Sequence, residues 1–181
     1  DLTNELTYMI LEVIDELSER FGNAIDAIGM SDDAGTENAM LIDPAIWRLI
    51  NKPRLKVIFE HVRSKGYKVY LHSCGHITPI IPDLIEIGVD MLQPIQPESM
   101  DIYHLKKEFG KSITLVGGIG TQKILPFGTP EEVKNEISTA LERMSKDGGY
   151  IMAPAKPIMP GVPLENAVAL INSFGRQKNE N

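Results

Sequence analysis

The chain has 181 residues, 43% of them hydrophobic and 24% charged, with 15 Gly and 12 Pro, an ordinary globular composition with enough length to bury a core. Its 18 Lys and Arg against 25 Asp and Glu give a net charge of −7 with no basic stripe, which argues against a nucleic-acid partner. The lone Cys74 excludes an intrachain disulfide. No window reaches the ~18–20 apolar residues of a membrane span, and the amino terminus lacks a signal layout, so a single cytoplasmic domain over residues 1–181 is expected.

From Leu2 to Phe21 the apolar residues Leu2, Leu6, Met9, Ile10, Val13, Ile14 and Leu17 recur at intervals of three and four, which predicts an amphipathic helix ended by Gly22. Ala24 to Met30 is a short apolar run that ends in the acidic loop Ser31-Asp32-Asp33, and it reads as a buried strand. Asp43 and Pro44 open a helix to Ser64, with a break or kink expected near Pro53 and a stop at Gly66. Lys68 to Cys74 is the next strand. Thr78 and Pro79 start a helix closed by Gly88, and Val89 to Ile95 is the third strand. Ser99 is expected to cap a helix through Phe109, and Ile113 to Ile119 is the fourth strand. Thr129, Pro130 and Glu132 supply a capping box for a helix to Lys146. Tyr150 to Ala155 is the fifth strand, Pro163 opens a last helix to Phe174, and the polar tail from residue 176 is expected to fray.

Five short strands separated by helices imply βαβ crossovers and a parallel sheet, open or closed as an eight-stranded barrel. Both forms place their chemistry at the carboxyl ends of the strands. Those ends carry Asp32 and Asp33, His72-Ser73-Cys74-Gly75, Gln93 and Gln96, and Gly117, Gly118 and Gly120. His72 and Cys74 are two apart, so in a strand they face the same side, and imidazole with thiolate is a zinc-type ligand pair. A packed cysteine beside a hydrogen-bonded histidine fits the same residues, and two ligands alone are too few for zinc. Gln96, Glu98, Asp32 or Asp33 could complete an oxygen-richer set. Asp32 is the candidate catalytic carboxylate; Asp33 is a candidate substrate ligand, although Ser-Asp-Asp-Ala-Gly is also good turn chemistry. Gln93, Gln96, Gly117 and Gly118 are candidate substrate contacts, the glycines by letting backbone approach a ligand closely.

The set HSCG, IIPDLIEIGVDMLQPIQ, KKEFGKSITLVGGIGTQKILPFGTPEEV, GGYIMAPA and PLEN, with SDDAG upstream, resembles the uroporphyrinogen decarboxylase-like family, in particular its corrinoid-linked methyltransferase branch. The resemblance implies an α/β fold that is the carboxyl-terminal portion, about five βα units, of a TIM (β/α)₈ barrel. It further implies methyl transfer to or from a corrinoid carried by a partner protein, with a small-molecule methyl donor or thiol acceptor. His72 and Cys74 fall on the family's zinc-binding His-x-Cys pair. The matching last-strand stretch Ile151-Met152-Ala153-Pro154-Ala155 carries no second cysteine, and Gly120 stands where the family often has Asp. Decarboxylation of uroporphyrinogen, or a non-catalytic half-barrel acting in assembly, are the alternatives. A chain too short for a whole barrel of ~250 residues is expected to be part of a longer protein and, alone, to associate with itself or with the other half.

Overall fold

A computed structural model describes residues 2–175, and the polar tail lies outside the described residues. Helices alternate with five parallel strands that follow one another in chain order, β1-β2-β3-β4-β5. The strands are β1 (Ala27–Ser31), β2 (Lys68–His72), β3 (Met91–Ile95), β4 (Thr114–Ile119) and β5 (Tyr150–Pro154). The helices are α1 (Leu2–Phe21), α2 (Pro44–Ser64), α3 (Ile81–Glu86), α4 (Ile102–Phe109), α5 (Ile124–Phe127), α6 (Pro130–Met144) and α7 (Leu164–Gly175). The chain divides into two compact units, Asp1–Leu92 and Gln93–Asn181.

In the first unit α2 supplies most of the core. Trp47, Leu55, Ile58, Phe59 and Val62 are buried at helical spacing, and α2 packs on β2 and α3, where Val69, Leu71 and Leu84 are buried as well. Asp43 caps this helix by accepting from the Ala45 amide at 2.7 Å. Pro53 does not break it: Pro44–Ser64 is one helix with the proline inside. Buried Asp83 of α3 accepts from Arg48 Nε at 2.9 Å and from Lys52 Nζ at 2.7 Å, which ties α3 to α2. β1 and β2 pair in parallel with Ser31 level with His72, so the chain leaves both strands side by side. That register positions the site described below.

In the second unit Ile119, Leu125, Val133, Ile137, Ala140, Ala169 and Leu170 form a buried cluster beneath α6 and α7. The expected capping box is present: the Glu132 amide donates to Thr129 Oγ1 at 3.3 Å and the Thr129 amide to Glu132 Oε2 at 2.7 Å. The helix before β4 starts later than the sequence suggests. Asp101, not Ser99, is its cap, accepting from the Tyr103 amide at 3.1 Å and the His104 amide at 3.0 Å, while the amides of Ser99 and Met100 turn onto the Gln96 carbonyl. Asn166 on α7 donates from Nδ2 to the carbonyls of Leu125 and Gly128, at 2.9 and 2.7 Å, and so fixes the segment around α5.

Candidate functional site

The loops that leave β1 and β2 are laced to one another. The Asp32 amide donates to the His72 carbonyl at 2.9 Å and the His76 amide to the Thr36 carbonyl at 2.6 Å. Between these two backbone bonds lies Ser73, 1% exposed, whose Oγ accepts from the Ala34 amide at 3.1 Å. Gly75 allows the close approach: it has φ +83°, and a Cβ there would lie 2.4 Å from the Thr36 carbonyl oxygen.

This lacing brings Asp33, His72 and Cys74 together. Cys74 Sγ lies 3.3 Å from His72 Nε2, although β2 ends at His72 and the cysteine stands beyond it. Asp33 Oδ1 lies 3.7 Å from His72 Nε2 and accepts from the Cys74 amide at 2.8 Å. One ligand atom from each of the three residues falls within 4.8 Å of the other two. A tetrahedral zinc with bonds of ~2.0–2.3 Å separates its ligand atoms by roughly 3.3–3.6 Å, close to the 3.3 and 3.7 Å that separate His72 Nε2 from Cys74 Sγ and Asp33 Oδ1. With a dication, thiolate, carboxylate and neutral imidazole make a site of zero net charge, and three protein ligands leave a fourth position open. The residues present therefore fit a zinc-type ion.

Asp32, the neighbouring carboxylate, stands outside this three-donor group. It is half-buried, and burial, then the adjacent charge of Asp33, push its carboxyl above the ordinary range.

In the second unit Gln93 lies within β3, and Gln96 follows it, 1% exposed. Gly117 and Gly118 are buried in β4 with φ of +127° and +87°. A Cβ on Gly117 would lie 2.9 Å from the Ile95 carbonyl oxygen, and one on Gly118 2.7 Å from Tyr150 Oη. Tyr150 in turn donates to the Gly117 carbonyl at 3.0 Å. The close approach these glycines permit is thus to β3 and to Tyr150 of the protein itself.

Two polar residues to which the sequence alone assigns no role matter to these loops. Ser73 sits between two ligand candidates and was indistinguishable from any strand-end serine. Glu136 accepts from the Gly120 amide at 3.3 Å; its signal was an acidic residue three after buried Val133 and four before buried Ala140, on the apolar side of α6.

Parallel strands in unbroken chain order with helical crossovers, and a candidate site on loops at the strand carboxyl ends, define an α/β protein of barrel type. The sequence model of the uroporphyrinogen decarboxylase (URO-D) family matches residues 1–176, and the chain belongs to that family. It is 29% identical over 173 residues to the methylcobamide:CoM methyltransferase MtaA of Methanosarcina barkeri, covering 92% of this chain and 48% of that protein. A methylated-thiol–coenzyme M methyltransferase of Methanosarcina mazei is 24% identical over 103 residues. A solved methyltransferase from Methanosarcina mazei superposes with a TM-score of 0.71 at 25% identity, over 95% of this chain and 47% of that one. The chain spans about half the length of the curated relatives it matches, as a five-strand portion of a (β/α)₈ barrel does. No helix among the described residues is long and apolar enough to cross a membrane.

Proposed function

We propose that this chain is part of a methyltransferase that moves a methyl group to or from a corrinoid carried by a partner protein, with a small-molecule methyl donor or a thiol acceptor as the other substrate. The observation that carries the reading is the convergence of Asp33, His72 and Cys74 on the carboxyl ends of β1 and β2, in a family member whose relatives include methylcobamide:CoM methyltransferases.

In this reading Asp33, His72 and Cys74 hold the metal. A bound zinc-type ion lowers the pKa of a coordinated thiol, so that thiolate is available near neutral pH. The chain's residues supply the placement. Ser73 and the backbone bonds around it keep Asp33 against Cys74, which limits the reorganisation needed when an ion or substrate arrives. The last strand offers no second cysteine, and Asp33 supplies a second anionic donor from the loop after β1 instead. Asp32, one residue away, is the group we assign to the polar part of the substrate.

The test is metal content by plasma emission spectrometry on the native protein and on Cys74→Ala, followed by methyl transfer between a methylated corrinoid and a thiol. About one zinc per chain in the native protein, lost in the variant, is expected. A metal content near zero in the native protein, unchanged by Cys74→Ala, overturns the reading.

A further inference from the structure

The loops that follow β3 and β4 hold a group of polar side chains that the metal reading does not use. Glu98 comes from the loop after β3 and Glu136 from α6, yet both reach the same spot. Glu98 Oε1 lies 2.8 Å, and Glu136 Oε1 3.4 Å, from where a Cβ on Gly120 would sit. The backbone holds both carboxylates: the Gln122 amide donates to Glu98 Oε1 at 2.8 Å and the Gly120 amide to Glu136 Oε1 at 3.3 Å. The space between the two oxygens exists because residue 120 has no side chain.

A second observation points to an occupant. Thr121, between the two residues whose amides hold the carboxylates, is 7% exposed, and its Oγ1 has no protein partner. Gln96, two residues before Glu98, is 1% exposed with neither amide atom partnered, and Glu98 Oε2 is buried and unpartnered as well. Buried polar atoms are nearly always satisfied by protein, ion or ordered water, so several without a protein partner in one pair of adjoining loops mark a place for a bound group.

We propose that Glu98, Glu136, Thr121 and Gln96 form a site for a small monovalent cation, an alkali ion or the ammonium of a protonated amine, seated over Gly120. The charge favours one unit over two. Burial, with a further contribution from Glu98 and against the hydrogen bond from the Gly120 amide, pushes the Glu136 carboxyl above its ordinary range, so the second negative charge of the pair is held at a cost. The remaining donors are a neutral amide and a hydroxyl. A cavity of about 370 Å³, lined by Glu136 together with Pro97, Gly118 and Tyr103, borders the group on the Glu136 side. The proposal does not depend on a metal at His72 and Cys74.

The test compares melting of the protein in potassium, sodium, methylammonium and tetramethylammonium chloride at one ionic strength, the last ion being too large to enter. A cation that binds raises the midpoint in proportion to the logarithm of its concentration, by about 5–10 °C at a hundred times its Kd. Response to potassium or sodium identifies an alkali site, and response to methylammonium alone identifies an amine site. Gly120→Ala, whose Cβ would displace the Glu98 carboxylate, and Glu98→Gln both abolish the response, and thallous ion in crystals gives an anomalous peak beside Glu98. Equal melting in all four salts, a response retained in both variants, or a thallous peak elsewhere overturns the proposal; ordered water alone between the carboxylates does the same.

Discussion

Asp33 Oδ1 accepts from the Cys74 amide at 2.8 Å while standing 3.7 Å from His72 Nε2, so the same oxygen that braces one ligand candidate faces another. This separates two roles for Asp33. Asn in its place keeps a carbonyl oxygen to accept from the Cys74 amide but loses the charge, whereas Ala loses both. If Asp33 is a ligand, Asp33→Asn and Asp33→Ala both weaken zinc binding, by more than the about 10–100-fold that loss of an outer-shell partner costs, in competition with a chromophoric chelator. If it only braces the loop, Asn retains the affinity and Ala alone loses it. The ligand role is the expected outcome.

The contact between the two loops is the next target. A Cβ on Gly75 would meet the Thr36 carbonyl oxygen at 2.4 Å, on a residue with φ +83°, so alanine there is strained in two ways. Gly75→Ala is expected to destabilise the fold by about 2–4 kcal/mol in urea unfolding. The loss should be accompanied by weaker zinc binding, because the same loops carry all three donors. Gly66→Ala is the control: it shares the positive φ, at +89°, but its Cβ would meet nothing within 4 Å. Its cost should be confined to backbone strain of about 1–2 kcal/mol, with zinc binding unchanged.

The alternation of strands and helices was legible because apolar runs and their Gly and Pro stops are local signals, and α1 and β2 begin where the sequence places them. The site was legible only in part. His72 and Cys74 stand out by type and spacing, but nothing in Asp32-Asp33 says which carboxylate turns toward them. A hydrogen bond spanning 41 residues, from the Cys74 amide to Asp33, decides that. The Ser99 cap failed for a similar reason: Ser99 and Asp101 are both good cap residues two positions apart, and the turn of Ser99 and Met100 onto the Gln96 carbonyl selects the second. Glu136 was hidden because its partner, the Gly120 amide, belongs to a different element.

Acid sensitivity should centre on Asp83. Burial alone would push its carboxyl up, but hydrogen bonds from Arg48 and Lys52 outweigh that and hold it below the ordinary range. Its folded pKa lies below the unfolded value of about 3.9, so the stabilisation is complete above about pH 4 and is lost as pH falls through the folded value. Asp83→Asn is expected to cost about 1.5–3 kcal/mol at neutral pH, since it weakens two charge-assisted hydrogen bonds at a buried position. It should also flatten the decline in stability below about pH 4 that the parent protein shows. Urea midpoints measured from about pH 3 to 7 give both quantities, and parallel declines in parent and variant would remove Asp83 from the account.

Helix α1 shows the limit of amphipathic pattern and supplies the last prediction. Its apolar stripe recurs at helical spacing, yet only Ile14 on it is buried, while Leu6, Met9 and Val13 are 49%, 61% and 54% exposed. Together with Ile10, Leu17, Ile28 and Met30 they line an open apolar groove of about 330 Å³ between α1 and β1. Periodicity reports which face is apolar; it does not report what covers that face. An open groove of this kind favours association, because covering it returns about 25 cal/mol per Å² of apolar surface removed from water. The chain is therefore expected to self-associate at about 10–100 μM, and Leu6→Lys with Val13→Glu to shift sedimentation velocity toward a monomer. Both side chains are already half exposed, so the double variant should keep the parent's unfolding free energy to within about 1 kcal/mol. A parent protein that sediments as a monomer across that range would show that the groove does not drive association.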